Sequence, residues 1–200
     1  MKRVLLTVLV LLALGVAGAL VVRASGWMNV SAIPPPSGFE NWFFGGMSDH
    51  SVEAHARPIA PINHDDPKLL RQGLEDYNGA CVTCHGAPGL EPSETEQGLN
   101  PPPPHLWTAD SQSLSDAELY WLVKNGVRMT GMPAFGPTHD ETELRAIVAF
   151  VRELPKLENG KYAALVKASG LTLPGSDDGG MKGMKMNAPP APAPAPAPTH

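Results

Sequence analysis

The chain has 200 residues, room for one ordinary domain with extensions, and its 22 prolines and 20 glycines crowd into a few stretches, so the compact part is smaller than the length implies. A formal net charge of −5 argues against a nucleic-acid partner, which would favour a basic face. Two cysteines are too few for the disulfide framework of a small secreted domain.

Lys2 and Arg3 precede an apolar run from Val4 to Val22. The run is close to the ~20 residues a spanning helix needs and longer than the ~7–15-residue apolar region of a signal peptide. Cleavage after Ala17-Gly18-Ala19 would leave Leu20, Val21 and Val22 exposed. Residues 1–24 therefore read as a retained membrane anchor, ahead of a cleaved signal peptide and of a buried core helix. The basic residues before the run place the N-terminus in the cytoplasm and the rest of the chain outside it.

Residues 25–65 read as a linker and arm. Pro34-Pro35-Pro36 favours a stiff, extended spacer. From Phe39 to Arg57 the chain carries Trp42, Phe43, Phe44, His50 and His55, with Ser48 positioned to cap a short helix through Arg57. This arm is expected to pack on the main domain; a docking or membrane-surface element is the other reading.

The compact domain is expected over residues 66–168. Asp66-Pro67 starts a helix reaching about Asn78. A Pro- and Gly-rich loop follows, from Gly86 to Ser113. Ser115 with Glu118 forms a capping box for a helix that ends at Lys124-Asn125-Gly126, with Gly126 suited to a left-handed cap. Thr138 with Glu141 offers a second box for a helix to about Leu154, and a short helix fits near Lys161–Lys167. No strand alternation appears, so the fold class is all-α. Residues 169–200 become Gly/Asp-, Met/Lys- and Pro/Ala-rich and are expected to be disordered. Within them Met181, Met184, Met186 and His200 are candidate soft ligands for copper(I), although a plain spacer is the simpler reading.

Cys81-Val82-Thr83-Cys84-His85 fits C-x-x-C-H, the signature of covalent c-type haem attachment. Two residues between the cysteines let one turn of chain reach both vinyl groups as thioethers, and the adjacent imidazole falls beneath the iron as proximal ligand. A thioredoxin-like dithiol would need a βαβ setting. A zinc site would need a second ligand pair, and His105 and His139 do not form one. For the distal position, Met132 is preferred to Met129, a histidine or an open site. It lies far enough after His85 to wrap over the opposite haem face, Gly131 permits close approach, and Pro133 fixes the turn.

Cys81-Val82-Thr83-Cys84-His85-Gly86 together with Thr130-Gly131-Met132-Pro133-Ala134-Phe135-Gly136 resembles the class I monohaem cytochromes c, membrane-attached bacterial members in particular, over about Leu69 to Leu157. The resemblance implies helices around one covalent haem c, with the first and last helices crossing. Gly73 and Tyr77 would form one side of that crossing, and Ile147, Phe150 and Val151 the other. It also implies a prolyl carbonyl, somewhere in Pro101 to Pro104, accepting a hydrogen bond from the His85 imidazole. Trp107, Tyr120 and Trp121 line the haem or fill the core, with the core preferred. Arg128 would either face a propionate or stay solvated.

The function expected is a single-electron carrier, not an enzyme, in a periplasmic respiratory or dehydrogenase-linked chain. It would be held at the bacterial inner membrane by its N-terminal helix, or be soluble in the periplasm if that segment is cleaved, and would dock transiently with redox partner proteins. The alternative is a haem subunit of a membrane-associated dehydrogenase or oxidase complex.

Overall fold

The computed structural model of the protein describes residues 1–175. The candidate copper ligands from Met181 to His200 lie outside the described residues. Every regular element among those described is helical, in line with the all-α expectation.

Helix α1, Lys2–Ser25, buries none of its residues against the rest of the chain. It is apolar around its whole circumference and long enough to cross a membrane. Gly26, in the left-handed conformation, ends it.

The arm is helical from α2, Gly38–Glu40, through a wide π-type turn at Asn41–Gly45 into α3, Gly46–His55. Its cap is Ser37, not Ser48. The Ser37 hydroxyl accepts from the Glu40 N–H at 3.2 Å, and the Ser37 N–H donates to the Glu40 carboxylate at 2.7 Å. Ser48 lies inside a helix that has already begun. The expected packing holds only for the second half of the arm. Val52 and Ile62 are buried, and Arg145 donates to the Ala60 and Pro61 carbonyls at 2.9 and 2.8 Å. Phe39, Trp42, Phe43, Phe44 and Met47 face solvent.

Helix α4, Pro67–Asp76, starts as expected, with the Asp66 carboxylate accepting from the Lys68 N–H at 2.9 Å. It ends at Asp76, close to the expected Asn78. A π-type turn, Tyr77–Cys81, carries the chain directly into α5, Val82–His85. The expected loop holds two short helices, α6 at Glu94–Gly98 and α7 at Ala109–Ser113. Helix α8, Asp116–Asn125, has the expected Ser115/Glu118 box. Helix α9, Glu141–Glu153, is capped by Asp140 with Glu143 instead of Thr138 with Glu141. The Asp140 carboxylate accepts from two backbone N–H groups, at 2.7 and 3.0 Å. A charged acceptor serving two donors outcompetes a single hydroxyl, and Thr138 instead donates to the Phe135 carbonyl. Helix α10, Lys161–Ala168, lies where a short helix was expected.

The core is the crossing of α4 and α9. A side-chain carbon on Gly73 would stand 2.7 Å from both the Ala146 carbonyl carbon and Phe150 Cβ, so only glycine admits this approach. Tyr77 packs on Phe150 and Tyr162, with ring centroids 5.5 and 6.2 Å apart. Ile147, Phe150 and Val151 are fully buried at the same junction, each contributing roughly 1.5–3 kcal/mol. Leu171 and Leu173, in the segment read as the start of the tail, pack against this core, and Asn78 donates to the Thr172 carbonyl at 2.8 Å.

Candidate functional site

The continuous path from α4 through the π-type turn into α5 places Cys81, Cys84 and His85 on one short helical stretch. Both cysteines are unpaired; Cys81 is buried and Cys84 partly so. Burial pushes the Cys81 thiol up to about 12, with the Asp76 and Cys84 charges adding to the effect. Burial also raises Cys84, and Glu96 raises it further. Both sulfurs are therefore neutral thiols at physiological pH.

The His85 Nδ1 lies 2.8 Å from the Pro104 carbonyl oxygen. A carbonyl can only accept, so Nδ1 carries the proton and the lone pair is on Nε2. Burial lowers the His85 pKa, opposed by the Pro104 bond, and the ring is neutral. A neutral imidazole with its distal nitrogen lone pair free and its other nitrogen anchored is the donor an iron ligand requires. Two neutral, unpaired thiols one helical turn apart beside such an imidazole fit a covalently attached haem. The proline left open over Pro101 to Pro104 is Pro104.

The turn after His85 is built around Gly86, at φ +63° and ψ −168°, a conformation closed to other residues. Its N–H donates to the Val82 carbonyl at 2.9 Å, and its carbonyl accepts from the Tyr77 hydroxyl at 2.7 Å. Behind it stand three side chains whose joint role was not legible in the sequence. His105 Nε2 pairs with the Glu96 carboxylate at 2.8 Å, and the His105 ring stacks on Trp107 at 4.4 Å. Glu96 and Trp107 both come close to Gly86. His105 directly follows Pro104, so this group braces the carbonyl that holds His85. The only hint in the sequence was that Ser93 could cap a helix carrying Glu96, which it does; Ser93 also donates to the Thr83 carbonyl.

The two candidate methionines differ sharply. Met129 is 91 % exposed and sits at φ +65°, its side chain turned into solvent. Met132 is half-buried; its carbonyl accepts from the Val127 N–H at 3.2 Å, and its N–H donates to the Thr130 hydroxyl at 3.1 Å. Gly126 has φ +65° but ψ −173°, the same glycine-only region that Gly86 occupies, rather than the expected left-handed cap geometry. A side chain there would meet Pro133 and the Met132 carbonyl at 2.6 and 2.7 Å. Gly131 packs against Leu99, and the Phe135 and Gly136 N–H groups bond to the end of α8 at 3.1 and 2.9 Å. The loop is thus clamped on both sides of Met132.

Tyr120 is in the core, as preferred, whereas Trp107 serves the brace and Trp121 is half-buried near His55, 6.0 Å between rings. Arg128 is exposed. His139 packs on Phe135, whereas His105 pairs with Glu96. Among the described residues no group of three or more His, Cys, Asp or Glu gathers as a metal cluster.

Residues 68–151 match the family described as cytochrome C oxidase, cbb3-type, subunit III. No curated protein matches the chain. The matched segment runs from the start of α4 to near the end of α9 and contains Cys81, Cys84, His85 and Met132.

Proposed function

We propose, from the premise that residues 68–151 form a c-type cytochrome domain, that this chain is a one-electron carrier with a single haem c held by thioethers from Cys81 and Cys84. His85 is its proximal ligand and Met132 its distal ligand. The observation that carries the reading is the 2.8 Å bond from His85 Nδ1 to Pro104, beside two unpaired thiols. When bound, the haem supplies a ferrous/ferric couple. The chain's own residues then have defined tasks. Cys81 and Cys84, neutral as S–H, each suit addition across a vinyl group, sulfur to one carbon and hydrogen to the other. Pro104 orients the imidazole, and the Glu96–His105–Trp107 brace holds Pro104. Met132 adds a soft sulfur that favours the reduced state. The two cysteines of this chain form a single attachment motif, which supports a count of one haem. The basic N-terminus and apolar α1 support an anchor with the haem domain on the extracytoplasmic side.

Exposed, ill-packed Met129 and clamped, half-buried Met132 give a clean test. Met132→Ala is expected to abolish the ferric charge-transfer band of sulfur–iron ligation and lower the reduction potential, while Met129→Ala leaves both unchanged. The opposite pattern would overturn the ligand assignment. Covalent attachment is read from mass: the mature protein should carry one haem, and Cys81→Ala/Cys84→Ala none.

The family description favours a second reading, in which the chain serves as a haem subunit of a membrane oxidase complex. Detergent extraction from native membranes separates the two. A carrier elutes alone, whereas a subunit elutes with a larger catalytic chain.

A further inference from the structure

C-terminal to α1, among the described residues, every exposed large apolar side chain but Met129 lies between Trp27 and Met47. The linker contributes Trp27, Val30 and Ile33, which are 81, 96 and 90 % exposed. The first half of the arm contributes Phe39, Trp42 and Phe43, whose rings touch one another, with centroids 5.7 to 6.3 Å apart, while facing outward. Free aromatic surface on this scale is costly in water. The same stretch, from Gly26 to Ser48, has one charged residue, Glu40, whose carboxylate is held by the Ser37 N–H at 2.7 Å.

Position decides what covers this surface. It begins at the end of the spanning helix and stops where the arm starts to pack on the domain. A dozen linker residues reach at most about 40 Å even when fully extended, and the linker is not free to swing. Asn100 donates to the Ala32 and Pro34 carbonyls at 2.9 and 2.6 Å. Tryptophan and phenylalanine rings on a short helix with almost no charge suit the boundary between lipid headgroups and acyl chains.

We infer that residues 27–47 form an interfacial element that seats the haem domain against the bilayer surface. This rests on α1 being retained as an anchor. With no basic side chain in the stretch, the seating is apolar, not electrostatic. It should therefore be insensitive to salt and to the fraction of anionic lipid.

The test uses the full-length, haem-loaded chain in phosphatidylcholine vesicles with bromine on the upper acyl chains. The expected result is that brominated lipid quenches a component of the tryptophan emission in the wild type. That component should vanish in Trp27→Phe/Trp42→Phe, leave the Trp107 and Trp121 emission unquenched, and persist in high salt. Equal quenching in both proteins, or none in the wild type, overturns the seating. Flotation after alkaline carbonate is read on the same vesicles. Failure to float overturns the anchor and the seating with it; flotation without the quenchable component overturns the seating alone. A photo-crosslinking residue at position 43 that captures an integral protein in native membranes, with the rings unquenched in lipid, would assign the surface to a protein partner and also overturn it.

Discussion

At the residue scale the site rests on a few atoms that admit no substitute. The peptide after His85 has to reverse direction while offering its carbonyl to Tyr77, and the φ +63°, ψ −168° geometry of Gly86 achieves both. Gly86→Ala forces an L side chain into that region and toward Glu96 and Trp107, 3.3 and 3.4 Å from the added carbon. It is expected to cost about 2 kcal/mol, measured by chemical denaturation of the haem-loaded protein. His85 itself is chosen by chemistry visible in the motif, but its tautomer is set by Pro104, a residue nineteen positions away in the chain. Glu96 and His105 act one step further out. Neither belongs to a motif, and each matters only because the fold brings it beside Gly86 and Pro104.

Helices carry these atoms, and their caps and crossings can be tested separately from the site. In the Ser115/Glu118 box, the Ser115 hydroxyl and N–H hold the Glu118 carboxylate below its ordinary pKa. A carboxylate whose folded pKa is depressed contributes stability above the ordinary glutamate value, about 4.3. That contribution is lost as pH falls through the lower folded value. Ser115→Ala is thus expected to cost about 1 kcal/mol at pH 7. The difference from wild type should narrow once the pH drops below the glutamate range, read from denaturation curves at several pH values. The α4–α9 crossing predicts a larger effect. Gly73→Val places branched carbons against the Ala146 backbone and Phe150. It should destabilise the domain by about 3 kcal/mol or prevent haem retention, whereas Gly79→Ala, with open space around it, should cost less than a third as much. A lowered midpoint and weak visible absorption in the first protein only is the expected readout.

On the scale of the whole molecule, the chain divides into a long apolar N-terminal helix, an apolar linker and arm, and a compact helical domain. Polar ties reinforce the joints between these parts. Arg152 donates to Asp116 at 2.9 Å and to the Leu114 carbonyl at 2.5 Å, and Asp116 also holds His64 at 2.8 Å, so one carboxylate ties the arm to α8 and α9. Asn100 ties the linker to the loop that packs beside Gly131. Asn100→Ala is expected to cost about 1 kcal/mol. It should accelerate protease cleavage within residues 26–37 several-fold and leave the visible spectrum unchanged. An unaltered cleavage rate would show that the tie does not restrain the linker.

The sequence by itself determined the helical class, the anchor-like N-terminus, the Cys81/Cys84/His85 attachment signature and the Asp66 and Ser115 helix starts, because all of these depend on local spacing and on side-chain chemistry within a few positions. The resemblance to cytochromes c added the glycine-mediated crossing, which Gly73 and Phe150 now display. Only the tertiary structure decided the matters of competition and distance. Asp140 displaced Thr138 because a carboxylate serves two donors. Pro104 was singled out from four prolines because one carbonyl alone lies within reach of His85. The arm split into a packed half and an exposed aromatic half because Arg145 and Asp116 hold only the residues after Val52. Hydrogen-bond partners far apart in the chain leave no periodic trace in it, and it is those partners that shape the site.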